Sequence, residues 1–296
     1  MTHIGFLACE TTLPGSGRRR EDAYEHDLTI TALEPALAAR GMDFAVIDWE
    51  APLDAFDGVD LVLLGTAWNY QDRAQSFLER LETLESRGIT VCNPSDMVRW
   101  NMRKTYLREL AQRGVPTIPT RWLDCADASD IRLAMDEFGT ARLVVKLQVG
   151  AGALGQQLLE RGTLPNDWSV DRPVMLQPYL PSIEDEGELS FIFVGGEFSH
   201  GLRKLPASGD YRIQSLYGGR ELTHTPSQAE LEAALNVLHA IPFAPPLYAR
   251  IDVLKGTDGE LKVMEVELIE PYLYPEQGPR LGEMLADAIA ERVPAR

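Results

Sequence analysis

Period-two alternation near the C-terminal end constrains this chain more than any other feature. In residues 248–253, Arg250 and Asp252 share one face, between apolar Ala249, Ile251 and Val253. In residues 263–268, Glu265 and Glu267 do the same between Met264, Val266 and Leu268. Successive side chains of a strand point to opposite faces, so both stretches read as half-buried strands. Gly256, Thr257, Asp258 and Gly259 lie between them as turn residues and predict a hairpin. Three carboxylates then share one side of a sheet, where they repel one another and resist burial. A hard divalent cation removes that conflict, and magnesium commonly takes a few carboxylates plus substrate phosphates. The competing reading is a solvated face with alternating glutamates. Ile269, Glu270, Pro271 and Tyr272 keep adding polar groups where a strand should end. They favour a magnesium–nucleotide site over residues 248–273, with Asp252, Glu265 and Glu267 as metal ligands.

The 296 residues suffice for one large α/β domain or two to three smaller ones packed together. A formal net charge of −17 argues against a nucleic-acid backbone or an anionic membrane as the main partner. A phosphate ligand remains compatible, because a few local cations and backbone N–H groups suffice for it. Cys9, Cys92 and Cys125 lie far apart without a CxxC pair, so reduced, mostly buried thiols are expected rather than disulfides or structural zinc. The N-terminal residues run straight into a strand pattern, unlike a signal peptide, and no apolar stretch is long enough to span a bilayer. A soluble, cytoplasmic protein is expected.

Strand patterns at 4–9, 43–47, 61–64 and 89–92 alternate with helical signals at 28–39 and at Phe77, Leu78, Leu81 and Leu84. This βαβ rhythm predicts a small parallel sheet with helices on its faces, over residues 1–95. Its loops carry Arg18, Arg19 and Arg20, and the tip Trp68, Asn69 and Tyr70; both are read as substrate-touching or simply solvated. A helix at 97–112, strands at 120–123, 141–147 and 174–177, and a helix at 129–138 are expected next, in a unit over 96–180. Strands at 188–194, 197–200, 211–214, 248–254 and 261–268 make residues 181–296 strand-rich. Ser227 and Glu230 form a capping box before Leu231, Leu235 and Leu238. Leu281, Met284, Leu285 and Ala288 predict a terminal amphipathic helix.

Gly150, Gly152 and Gly155 satisfy the dinucleotide pattern GxGxxG, but no long helix follows them, and no Gly-Lys-Ser/Thr makes a P-loop. The segment reads instead as strand, glycine flap and return strand. Such a flap covers phosphates with backbone N–H groups and excludes water. Lys146, at the end of the feeding strand, is either a snorkelling edge residue or a phosphate ligand.

In order and spacing these residues resemble the ATP-grasp ligases, in the branch of bacterial glutathione synthetase, RimK-like ligases and the cycloserine-forming cyclo-ligase. The resemblance covers nearly the whole chain and is strongest over 93–271. It implies an α/β (α+β) ATP-grasp fold. An N-terminal Rossmann-like pre-ATP-grasp domain spans 1–95, a small subdomain with the flap 96–180, and a C-terminal subdomain with the metal site 181–296. It also implies ATP with Mg2+ as cofactors, Mn2+ being accepted by the same oxygen ligands. Lys104 and Lys146 would contact phosphates under the flap of Gly150, Gly152 and Gly155. Gln177, Pro178, Tyr179 and Leu180 would form the hinge whose backbone reads adenine. Glu184 would hold the ribose, with Asp185 and Glu186 as alternatives, and Glu188 belongs to the nucleotide set. Lys204, Arg212 and Arg250 would be catalytic, Arg212 contacting the reacting carboxylate and acyl phosphate. Gly209, Asp210 and Gln214 belong to the matching loop. Asp252, Glu265 and Glu267 occupy the metal-ligand positions, although the last is commonly Asn in the family.

The resemblance implies attack of a carboxylate on the terminal phosphate of ATP, giving ADP and an acyl phosphate. A nitrogen nucleophile then displaces phosphate to form an amide-type bond. Residues 98–101 with Asn93 and Pro94, the 66–70 tip and residues 267–271 resemble the cycloserine cyclo-ligase type, so ring closure is the alternative. A non-catalytic ATP-binding sensor and a small-molecule kinase are the rival classes. Small-molecule carboxylate and amine substrates are the expected partners, with neither nucleic acid nor membrane. The family resemblance also implies a homo-oligomer.

Overall fold

The computed structural model describes residues 2–150, 152, 155–207, 209–213 and 217–293. The fold is α/β and opens with a parallel sheet. Strands β1 (Thr2–Ala8), β2 (Met42–Asp48), β3 (Leu61–Leu63) and β4 (Thr90–Cys92) pair in the order β2-β1-β3-β4. Helix α1 (Tyr24–Ala38) covers one face and α2 (Ala74–Ser86) the other. Alternation in β1 decides the faces: Ile4 and Phe6 pack with Leu33 and Leu37 of α1, whereas Leu7 packs with Phe77, Leu78, Leu81 and Leu84 of α2. The helical spacing of those four residues is borne out, since all are buried.

The helix expected at 97–112 is two helices, α3 (Ser95–Asn101) and α4 (Tyr106–Gln112), and Lys104 sits in the break between them. Next come β5 (Arg121–Leu123), β6 (Ala126–Asp127), α5 (Ala128–Glu137), β7 (Arg142–Leu147), β8 (Gln157–Glu160), β9 (Ser169–Val170) and β10 (Val174–Pro178). Strands β7 and β8 pair antiparallel around the glycine segment, so a flap between two strands is what forms. Its sheet runs β5-β10-β7-β8 with α5 packed on it; β6 and β9 pair separately.

The last unit holds α6 (Ser182–Asp185), β11 (Glu188–Val194), β12 (Glu197–Leu205), β13 (Arg220–His224), α7 (Gln228–Ala240), β14 (Tyr248–Lys255), β15 (Leu261–Glu267) and α8 (Leu281–Ala290). Its sheet runs β13-β12-β11-β14-β15 and is antiparallel throughout. The Ser227–Glu230 capping box starts α7, and 248–268 is the expected hairpin. Residues 211–213 are not strand. The Asp210 carboxylate accepts the backbone N–H groups of Tyr211 and Arg212 at 2.7 and 2.9 Å, so a local turn takes donors that a ladder needs. Gln214 lies outside the described residues. Helix α8 returns to the first unit and packs on α1, where a Cβ at Gly282 would overlap the carbonyl of Ala32. No helix among the described residues is long and apolar enough to cross a membrane. Cys9 and Cys92 are buried free thiols, whereas Cys125 is exposed.

Candidate active site

The antiparallel register collects polar groups on one face of the large sheet. Asp252 lies opposite Glu265 and Ser190, Arg250 opposite Glu267, and Glu188 opposite Lys204. Leu189, Phe191, Ala249, Ile251 and Val266 point the other way, into the core beneath α7. A β-bulge in β15 places Val263 opposite Val253 while Glu265 stays opposite Asp252. The residue in between, Met264, packs instead against an apolar cluster of Ile118, Val144, Tyr179, Leu180, Ile213 and Leu254. The expected hinge residues Tyr179 and Leu180 are buried members of that cluster.

Three side chains brace the acidic strand from the inside. Tyr106 Oη donates to the carbonyl of Val266 at 3.0 Å and accepts its N–H at 2.9 Å. Asn101 bonds the Val266 carbonyl at 2.8 Å and the Leu268 N–H at 3.0 Å. Asn93 reaches the carbonyls of Tyr248 and Leu268 and the N–H of Leu247. None of these bracing roles is legible from sequence. A buried polar group inside an apolar helical pattern is the only signal that points to them.

The expected magnesium ligands Asp252, Glu265 and Glu267 share this face, and by themselves they do not close around a metal ion. Among the described residues no group of three carboxylate, histidine or cysteine side chains sits close enough to hold a metal ion. Protein cations resolve the repulsion instead. Lys104 pairs with Glu265, and Arg250 pairs with Glu267. Arg250 also holds Asp252 at 3.0 Å, which further accepts Ser190 Oγ at 2.5 Å and Lys204 Nζ at 3.4 Å. Burial alone would push the Asp252 carboxyl up, yet Arg250 and Lys204 hold it at about 2. The Asp252 side chain is 2 % exposed, against 23 % for Glu265 and 29 % for Glu267. The oxygen donors that face the cleft therefore fit magnesium in its two-carboxylate mode, completed by substrate phosphates, rather than an all-protein cage.

Glu188 lies inside this charge cluster, 3.0 Å from Lys204, with its second oxygen buried and unpartnered. Burial outweighs Lys204 and lifts its carboxyl to about 7. Asp252 draws on two cations, which leaves Glu188 the more easily protonated acid. Burial likewise outweighs Arg250 at Glu267 and lifts it to about 7. Burial opposes the charge on Lys204, but Asp252 and Glu188 outweigh it and raise its pKa. Lys146 lies opposite Met175 and feels Glu265 and Lys104. Burial lowers its pKa, and among the described residues no ion pair is made to it.

The Lys104 N–H donates to the carbonyl of Gln148 at 2.7 Å, so the first lysine is tied to the base of the flap. Gly150, Gly152 and Gly155 all have positive φ, which only glycine adopts readily. Ala151, Ala153 and Leu154 lie outside the described residues. At the hinge, Gln177 donates to Thr120 Oγ1 at 3.0 Å, and Arg142 stacks on Tyr179 at 4.1 Å. Pro178 ends β10, and Glu184 bonds the Tyr179 hydroxyl from α6. Arg212 is not brought to the cluster. Asp210 takes its guanidinium at 2.7–3.2 Å, and its plane stacks on Tyr217 at 3.7 Å.

The loops after β1 and β3 stand at the carboxyl ends of a parallel sheet, where open α/β sheets bind ligands. Arg18, Arg19 and Arg20 offer no free charge there, because Glu10, Asp27 and Asp22 neutralise them. The 68–70 tip docks on the far side of the cleft, with Trp68 donating to the carbonyl of Glu270 at 3.1 Å. Tyr70 is buried beneath it.

Comparisons with known proteins agree with this arrangement. The family described as D-cycloserine synthetase DcsG, N-terminal domain, matches residues 4–93. The cycloserine biosynthesis protein DcsG of Streptomyces lavendulae is 30% identical over 288 residues, which covers 90% of this chain and 94% of that protein. A glutathione synthetase of Bordetella pertussis is 24% identical over 310 residues, covering 96% and 92%. The crystal structure of D-cycloserine synthetase DcsG superposes with a TM-score of 0.82 at 25% identity, over 99% of this chain and 100% of that one. D-alanine–D-alanine ligase from Bacillus anthracis, complexed with ATP, shares the fold at a TM-score of 0.67 and 19% identity, over 98% and 97%. A bulged acidic hairpin, two cleft lysines, a glycine flap and these likenesses lead to one assignment: the chain belongs to the ATP-grasp carbon–nitrogen ligases, in the family of the cycloserine biosynthesis protein DcsG.

Proposed function

We propose that this ligase activates a carboxyl group of a small molecule with Mg-ATP and closes a carbon–nitrogen bond within that same molecule, the reaction type of a D-cycloserine synthetase. One observation carries the chemistry: Lys104 pairs with Glu265, which also acts on Lys146 and Glu267, and the Lys146 strand leads into the glycine flap. The 30% identity to DcsG over 90% of the chain supports ring closure.

In the first step a carboxylate oxygen bonds to the terminal phosphorus of ATP while the bond to ADP breaks. The nitrogen lone pair then attacks the acyl carbon, phosphate leaves with the carbon–oxygen electron pair, and the nitrogen sheds a proton. Lys104 and Lys146 neutralise the phosphates, and Arg250 stands beside the acids as the cation for charge developing at the acyl group. The flap keeps water from the acyl phosphate. Glu265 and Glu267, with Asp252 behind them, would hold magnesium, which when bound would supply Lewis-acid neutralisation of phosphate charge. Arg212 serves only after exchanging Asp210 for a substrate carboxylate. Likeness to glutathione synthetase supports a second reading, condensation of separate carboxylate and amine substrates.

Mass spectrometry of the protein incubated with Mg-ATP and pooled carboxylate and amine metabolites tests both. Ring closure yields ADP and a product one water lighter than a single metabolite. Intermolecular ligation yields the sum of two metabolites less one water. No metabolite-dependent ADP release would overturn the ligase reading.

A further inference from the structure

Glu270 follows β15 by three residues, where the chain passes beneath the N-terminal domain. Two side chains of that domain grip it from about two hundred positions away. Trp68 Nε1 donates to its carbonyl oxygen at 3.1 Å, and Gln71 Nε2 donates to its Oε1 at 3.0 Å. Both are neutral: Trp68 fixes the backbone, Gln71 orients the carboxylate, and neither balances its charge. Among the described residues no lysine, arginine or histidine forms an ion pair with Glu270.

The charged groups around it make the imbalance worse. Glu267 and Glu265 act on it from the strand before it. Cations on neighbouring segments are already committed. Arg250 serves Asp252 and Glu267, and Arg20, over the Trp68 ring at 5.2 Å, is held by both oxygens of Asp22. Burial and Glu267 push the Glu270 carboxyl up to about 8, so its charged form is costly unless a cation arrives. The side chain is nonetheless held by Gln71 from 199 positions away, which is how a binding group is pre-organised.

We propose that Glu270 is a specificity-determining residue that receives the cationic amino group of the substrate. The second half of the inference rests on the ligase reading: with its amino end on Glu270, the substrate presents its carboxyl toward the phosphates beside Glu265 and Glu267. Three residues of extended chain span at most roughly 10 Å, so this spacing suits a molecule of amino-acid size.

Calorimetric binding to the full chain, with Mg2+ and a non-hydrolysable ATP analogue present, tests this without requiring turnover. The probes are D- and L-alanine and D- and L-serine, set against lactate, glycerate and the N-acetyl derivatives. In the wild type the amino members bind at least tenfold more tightly than their uncharged counterparts. Glu270→Gln abolishes that preference, Glu270→Asp restores part of it, and affinity for the ATP analogue changes less than twofold in either variant. Equal binding of hydroxy and amino acids, an unchanged preference in Glu270→Gln, or no binding by any amino member overturns the proposal. Failure of the ligase reading looks different: amino-group selectivity persists while no metabolite releases ADP.

Discussion

Lys104 and Glu265, 161 positions apart in the chain, form an ion pair across the cleft between the α3–α4 break and β15. The pair joins the loop that bears the flap's anchor to the strand that bears the cleft-facing acids. Nucleotide phosphates and magnesium are natural replacements for its two halves, the first for Glu265 at the lysine and the second for Lys104 at the glutamate.

Among the described residues Lys146 makes no ion pair, and burial lowers its pKa. The unfolded chain holds that proton more readily, so the lysine costs stability at neutral pH and the cost fades only as pH rises. Lys146→Met is expected to weaken binding of an ATP analogue at least tenfold while raising the melting temperature of the nucleotide-free protein. A lower melting temperature would contradict this account.

Arg250 compensates two acids at once, Asp252 and Glu267. Arg250→Met strands a buried carboxylate and is expected to cost about 3–5 kcal/mol in urea denaturation. The double variant Arg250→Met/Asp252→Leu should recover part of that loss, because one of the two uncompensated charges is gone.

Tyr106→Phe removes one hydroxyl that serves both backbone groups of Val266. The Val266 N–H loses this acceptor while Asn101 still bonds the carbonyl, and the change is expected to cost about 1–3 kcal/mol. The ring itself is retained, so hydrogen exchange should quicken at Val266 and its β14 neighbours before global unfolding changes.

His200 hydrogen-bonds the carbonyl of Leu273 at 3.0 Å, and burial pulls its pKa down to about 4. An unfolded histidine takes a proton near pH 6.5, whereas this one stays neutral to about 4. Its burial therefore costs nothing above pH 6.5, and stability drains away as pH falls from there to about 4. Replacing it with Asn should flatten the slope of stability against pH in that window by about 1.4 kcal/mol per unit, read from urea titrations at several pH values.

Cations of the protein already neutralise the acids, so magnesium is not a structural requirement. Treatment with EDTA should abolish nucleotide turnover and leave the melting temperature of the nucleotide-free protein within about 1 °C, unlike a protein whose fold depends on its metal. A large drop in melting temperature would reveal a structural metal.

Local chemistry is what the sequence by itself determined. Period-two alternation specified the 248–268 hairpin, helical spacing specified the buried face of α2, and the missing helix after Gly155 turned GxGxxG into a flap. These signals depend on residues within a few positions of one another, where strand and helix geometry dictate which side chains share a face. Tertiary structure alone decided which charge meets which. The bulge at Met264, the bracing of β15 by Asn93, Asn101 and Tyr106, and the return of α8 onto α1 join segments far apart in the chain. So do the grip of Gln71 on Glu270 and the commitment of Arg250 to Asp252 and Glu267. Arg212 shows the limit in the opposite direction, since a carboxylate two residues away, not the distant cluster, takes its guanidinium. A carboxylate's identity is written in its codon, but its partner is set by the register and packing of strands that only the folded chain brings together.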